Sequence, residues 1–177
     1  EEEAEPNNLI PTSSTSAQMA IGDAIAICLL SLRGFTPKDF ALLHPGGSLG
    51  KQLFLKVVDL QSQQNCPSVA PSSSIRATIL EMTSKRMGAT AVLSENMLLG
   101  IITDGDIRRM LQNSQNFTNL KAKDIYSQNA SIIDKDELVI NALSTMRQKN
   151  ITQLLVVEKK KYVGVIHLHD ILNEGIF

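Results

Sequence analysis

A strand ending on Thr103 and a helix opening with Asp104-Gly105-Asp106 would set a hydroxyl and a carboxylate three residues apart at a helix N-terminus. Such a terminus presents unpaired N–H groups and the positive end of the helix dipole, which suits a phosphate. A carboxylate there can accept hydrogen bonds from ribose hydroxyls. Arg108 and Arg109 could add charge toward a phosphate tail. Thr103 and Asp106 equally form a capping pair, like the Ser/Thr-x-x-Glu box with Asp in place of Glu. The turn occurs twice, because Gly100-Ile101-Ile102-Thr103-Asp104-Gly105-Asp106-Ile107 recurs 64 residues later as Gly164-Val165-Ile166-His167-Leu168-His169-Asp170-Ile171. His167 replaces the threonine while Asp170 keeps the aspartate, so capping accounts less well for the second copy. His167 and His169 have the side chains of metal ligands, but no third ligand stands near them in the sequence, and no metal site is expected.

The elements that must hold these turns repeat with them. Laid without gaps, residues 75–111 fall on 139–175. The identities are Met82/Met146, Lys85/Lys149, Val92/Val156, Gly100/Gly164, Ile102/Ile166, Asp106/Asp170 and Ile107/Ile171. A fixed offset of this kind means one supersecondary unit used twice. Each unit reads helix, strand, strand, helix. The spacing predicts a helix over 75–87, strands at 89–94 and 98–103 and a helix over 105–112. The second set is a helix over 137–149, strands at 153–158 and 162–167 and a helix from 169. Leu154-Leu155-Val156-Val157 is the continuous apolar run of a buried strand. The hairpin turns are Glu95-Asn96 and Lys159-Lys160-Lys161. Short strands at Ser68-Val69 and Ser131-Ile132-Ile133 enter the units, behind similar lead-ins at Val58-Asp59-Leu60 and Lys123-Asp124-Ile125. The fold class is α/β (α+β). Two such small units are each marginal alone and would share a core; the groove between them is a natural ligand site.

Ahead of the repeats, Pro11-Thr12-Ser13-Ser14-Thr15-Ser16 is dense in capping residues. Met19, Ile21, Ala24, Ile25, Ile27, Cys28, Leu29 and Leu32 then leave little polar face, so this helix expects burial on nearly all sides. Gly34 ends it, and Thr36-Pro37 opens a shorter helix that runs toward His44-Pro45-Gly46-Gly47. A mostly polar linker covers Gln61–Ser74. Composition is ordinary for a globular chain, with 43% hydrophobic and 20% charged residues and net charge −1. No basic surplus calls for nucleic acid. No apolar run is expected to reach the ~18 residues of a membrane span. Cys28 and Cys66 read as free thiols of a reducing compartment.

The pattern Gly-h-h-Thr-x-x-Asp-h, where h is apolar, is complete once and repeated with His for Thr. It resembles a pair of CBS domains (named for cystathionine β-synthase). The resemblance implies an adenine nucleotide or related ligand between the units, with Thr103 and Asp106, and Asp170 in the second copy, contacting phosphate and ribose. Arg108 and His167 join that candidate set. Further segments carry a closer likeness: Pro11-Thr12-Ser13-Ser14-Thr15, Gly22-Asp23-Ala24, Arg33-Gly34-Phe35-Thr36, Asp39-Phe40 and, most specific, His44-Pro45-Gly46-Gly47-Ser48-Leu49-Gly50. Together they resemble the arabinose-5-phosphate isomerase family, whose members carry a sugar isomerase (SIS) domain followed by two CBS units. On that likeness residues 1–50 are the helical C-terminal remnant of an SIS domain, 56–115 the first CBS domain and 121–177 the second.

The resemblance implies interconversion of ribulose 5-phosphate and arabinose 5-phosphate, on the way to the lipopolysaccharide sugar 3-deoxy-D-manno-octulosonate. Such chemistry needs one group to open the ring and another to move a proton through an enediol. By the family pattern His44 and Glu3 match an active-site histidine and glutamate. On residue type alone His44 is a helix-terminal histidine and Glu3 a solvated tail charge. On that likeness most of an SIS domain is expected upstream, and these 177 residues are expected to be inactive alone. No cofactor is expected for catalysis. The expected partners are a sugar phosphate, an adenine nucleotide or a cytidine-linked sugar at the groove, and further copies of the chain in a dimer or tetramer. The alternative is a stand-alone ligand-binding or oligomerisation module. Either would be cytoplasmic.

Overall fold

The computed structural model describes residues 2–61, 66–113 and 117–177. The chain divides into two compact units, residues 1–44 and 45–177.

The first unit holds α1 (Ser13–Leu32) and α2 (Pro37–Leu43). Thr36 caps α2 by accepting from the Asp39 N–H at 3.3 Å, while Asp39 accepts from the Thr36 N–H at 2.8 Å. Thr12 is the N-cap residue of α1 but makes no side-chain cap. A carboxylate from upstream does that work, because Glu3 accepts from the N–H groups of Thr12 at 2.7 Å and Ser14 at 3.1 Å. The expected burial of α1 is not found: none of its residues is buried, and Ile21, Ile27 and Leu32 stand more than half exposed. Its apolar face meets nothing in the described chain that would cover it. The expectation about membrane spans also needs correcting, since α1 is long and apolar enough, by length and composition, to cross one. Asp23 at its middle argues against insertion, at a cost of about 2.5–3.5 kcal/mol.

The second unit opens with α3 (Ser48–Phe54), a helix the sequence reading left unassigned, and the short α4 (Val57–Leu60). The first repeat follows as β1 (Ser68–Val69), α5 (Ile75–Lys85), β2 (Ala89–Ser94), β3 (Met97–Thr103) and α6 (Asp104–Asn113). A 3-10 turn at Ala122–Asp124 leads into the second repeat: β4 (Ile132–Asp134), α7 (Val139–Lys149), β5 (Gln153–Glu158), β6 (Lys161–His167) and α8 (Leu168–Asn173). The linker predicted over 61–74 falls partly on residues 62–65, outside the described residues.

Each repeat is a three-stranded sheet in which the entering strand lies parallel to the first hairpin strand and the hairpin is antiparallel. Both hairpins slip register at the same place, between Val92 and Leu93 and between Val156 and Val157. Both central helices end on a left-handed residue, Arg86 (φ 55°) and Asn150 (φ 51°).

The lead-ins are exchanged. The first docks on the second repeat, where Val57 N–H donates to Glu137 O at 2.9 Å and Val139 N–H donates to Leu55 O at 2.9 Å. Val57 is fully buried with Val139, Leu143, Met146, Leu154, Ile166 and Ile171. The second docks on the first repeat, with Ala122 N–H donating to Ser73 O at 2.8 Å and Ala122 buried with Met82, Val92 and Ile102. A third apolar cluster joins the hairpins, through Met87 and Ala91 of one repeat and Leu155 and Val165 of the other. Gly100 is explained by the exchange: a Cβ there would lie 2.2 Å from Ser127 O and 2.5 Å from the Tyr126 ring.

Candidate functional site

The hairpin cluster leaves a cleft on either side of the strand-to-helix turns. The larger, about 550 Å³, is lined by His167, His169 and Asp170 from the second repeat and by Arg86, Met87, Gly88 and Asp104 from the first. Met82, Ile79 and Ile107 give it an apolar wall. The smaller, about 320 Å³, is lined by Thr103, Gly105 and Arg108 from the first repeat and by Asn150, Ile151, Thr152 and Gln153 from the second. The two arrangements correspond at the offset of the repeat, each pairing one repeat's turn with the end of the other repeat's helix.

The turns differ chemically. Thr103 Oγ1 lies 2.7 Å from Asp106 Oδ2, which also accepts from the Thr103 N–H at 2.8 Å, while Asp106 N–H donates to Thr103 Oγ1 at 3.3 Å. Arg109 Nη2 and Ser127 Oγ both donate to the other carboxylate oxygen. Asp106 is 7% exposed. Burial pushes its carboxyl up, but the bonds from Thr103 and Arg109 prevail and hold it below the ordinary range. Asp106 therefore closes the turn from behind. It lines a different hollow, with Arg109, Asn113 and Asp124, rather than the cleft that Thr103 and Arg108 share.

In the second copy the backbone cap persists, with His167 N–H donating to Asp170 Oδ2 at 3.1 Å. His167 Nδ1 takes the place of the threonine hydroxyl and accepts from the His169 N–H at 3.1 Å. The two imidazoles stack with centroids 5.0 Å apart. Burial pushes the His167 imidazole below its ordinary pKa, the neighbouring His169 does the same, and Asp170 opposes them. Unlike Asp106, Asp170 is half-buried and lines the larger cleft.

Of the predicted residues, the structure thus gathers His167 and Asp170 in one cleft and Thr103 and Arg108 in the other. Glu3 and His44 belong to the first unit. Glu3 sits at the N-terminus of α1, where hydrogen bonds from Ser14 and Thr12 hold its carboxyl down at about 2. His44 follows α2, exposed, its ring 4.8 Å from that of Phe40. Among the described residues no hydrogen bond or ion pair links the two. Sequence reasoning missed Arg86, Asp104 and Gln153. The offset could have marked Arg86, which falls on Asn150 at the end of the paired helices.

Residues 57–113 and 122–176 each match the family model for the CBS domain. The arabinose 5-phosphate isomerase KdsD of Yersinia pestis is 40% identical over 177 residues, covering 99% of this chain and 54% of that protein. The chain thus spans about half the length of the curated relatives it matches. Among solved structures, the CBS domain pair of protein MJ0100, in complex with 5'-methylthioadenosine and S-adenosyl-L-methionine, shares 26% identity. It covers 68% of this chain and 94% of its own at a TM-score of 0.57. The CBS domain protein PAE2072 from Pyrobaculum aerophilum, complexed with AMP, covers 66% of this chain and 90% of its own at 20% identity and a TM-score of 0.59.

Proposed function

The chain belongs to the CBS domain family, and on that premise we propose that its paired repeats sense a nucleotide or nucleotide-sugar and regulate an arabinose-5-phosphate isomerase. The observation that carries this reading is the pair of clefts at equivalent turns. Each joins a strand-to-helix turn to polar side chains for ribose and phosphate, and in the larger Ile79, Met82 and Ile107 add an apolar wall for a base. The relative binding methylthioadenosine and S-adenosylmethionine supports an adenine-containing ligand. A cytidine-linked sugar remains the alternative, because the His167 turn departs from the threonine pattern.

The isomerase assignment rests on the KdsD likeness. In the longer enzyme His44 would open the sugar ring and Glu3 would carry the proton between adjacent carbons. Glu3 as it stands, held down at about 2, is a weak base; contacts from the rest of the SIS domain would have to raise it. The chain alone is therefore proposed to be inactive, and the parent enzyme to be a cytoplasmic homo-oligomer. Exposed Ile79, Leu80 and Phe117 favour a second role in holding subunits together.

A thermal-shift screen with AMP, ATP, a cytidine-linked octulosonate and arabinose 5-phosphate tests the reading. One nucleotide should raise the melting temperature of the wild type and not of Asp170→Asn. No shift from any of them would leave the oligomerisation role alone standing.

A further inference from the structure

The two clefts are not separate. Gly88, Asp104 and Gln153 line both. Gly88 makes the junction possible: its φ is +63°, and a Cβ there would lie 2.9 Å from Gln153 Nε2 and 3.4 Å from Asp104 Oδ2. At the junction, then, an amide and a carboxylate stand side by side against bare backbone.

Each cleft of this groove carries one guanidinium, Arg86 in the larger and Arg108 in the smaller. Neither makes an ion pair among the described residues. Both belong to the first repeat, and at the repeat offset they fall on Asn150 and Leu172. Two copies of one site would not be built this way. The backbone at Arg86 sharpens the point. Asn150 ends its helix in the left-handed conformation that asparagine tolerates. Arg86 adopts the same conformation at φ 55°, ψ 27°, where a long side chain is disfavoured. A residue that holds this disfavoured conformation while lining the larger cleft fits a role in binding.

We infer that the groove takes one extended ligand with an anionic group at each end, held by Arg86 and Arg108, and hydroxyls in the middle against Asp104 and Gln153. The inference rests on the ligand-sensing reading and adds its chemical class. The Asp104 carboxylate repels a phosphate at the centre and accepts from hydroxyls. A guanidinium holds a terminal phosphate or carboxylate bidentately. Two linked anions engage the second arginine intramolecularly, so the doubly charged ligand binds more tightly than either half.

Calorimetric titration of the full chain with fructose 1,6-bisphosphate, fructose 6-phosphate, fructose 1-phosphate and AMP tests this. The bisphosphate should bind once per chain and about tenfold or more tighter than either monophosphate. Arg86→Gln and Arg108→Gln should each reduce it to the monophosphate level. Both side chains are exposed, and unchanged circular dichroism would confirm that the variants fold. AMP binding twice per chain, with the bisphosphate no better than its halves, would overturn the single-ligand groove and leave the sensor reading intact. Unchanged affinity in both variants would overturn the arginine assignment with it. If none of the four compounds binds, both the groove and its ligand class fall.

Discussion

Lys51 Nζ lies 2.8 Å from Glu174 Oε2 and 3.1 Å from the Glu174 carbonyl, so one ammonium ties α3 to the end of α8. Helix α8 carries His169 and Asp170 at its other end, and α3 follows directly on the His44-Pro45-Gly46-Gly47 turn. The pair is about one-third exposed, which limits it to about 1 kcal/mol. Lys51→Met should lower the melting temperature by about 2–4 °C. A double-mutant cycle with Glu174→Gln should return most of that as coupling energy; strictly additive effects would show that the contact stabilises nothing.

Gly100 sits where the exchanged lead-in crosses β3, against the Ser127 carbonyl and the Tyr126 ring. Gly100→Ala must push that segment off the strand edge, breaking the reciprocal bonds between Ile101 and Ser127 at 3.0 and 2.8 Å. Overpacking of this kind costs about 1–3 kcal/mol. Urea unfolding of the variant should show the loss, with amide exchange accelerated at 122–127. A stability equal to wild type would mean the lead-in is not seated as described.

Thr90 is fully buried in β2, and its hydroxyl has no hydrogen-bond partner among the described residues. Its counterpart in the second repeat is the apolar Leu154. Thr90→Val removes the unsatisfied group at nearly constant volume and should gain about 1 kcal/mol in chemical denaturation. A loss instead would reveal an ordered water held by the hydroxyl.

The His167 imidazole is pushed down by burial. The unfolded chain therefore binds the proton more readily than the native one. The neutral ring's contribution is complete above the unfolded value of about 6.5 and is lost as pH falls below it. Melting temperatures should drop between pH 7.5 and 5.5, and His167→Thr, which also restores the threonine cap, should flatten that drop. An identical pH profile in the variant would place the sensitivity elsewhere.

Much of the second unit was legible because the repeat supplied two readings of every element. The strand at 89–94 and the turn at Glu95-Asn96 came out as expected, and β5 matched to the residue. Helix α5 stops at Lys85 rather than 87 because Arg86 turns left-handed, which local propensity does not foretell. The similarity of the lead-ins was visible, but their exchange was not, since pattern matching says nothing about which core Val57 enters. Thr103, Asp106, His167 and Asp170 do lie at the strand-to-helix turns, while Asp104 at the first of these turns was missed. That Asp170 faces a cleft while Asp106 faces away follows from Arg109 and Ser127, which pair with Asp106 alone. Helix α1 misled because a largely apolar helix predicts burial without saying that the covering surface belongs to this chain.

The exchanged lead-ins bear on how the protein is made. Val57 leaves the ribosome long before the α7 and β5 residues that bury it, and the first repeat lacks Ala122 until its own hairpin is already complete. At about 5–20 residues per second the nascent chain waits for seconds with Val57 unseated. The first repeat can therefore close as soon as Ala122 is made, whereas the second repeat's core around Val57 closes only once Ile166, Ile171 and Ile176 have emerged. Until then an unseated lead-in on one nascent chain fits the vacant core of its neighbour on the same message, so polysomes are where mispaired copies would first arise.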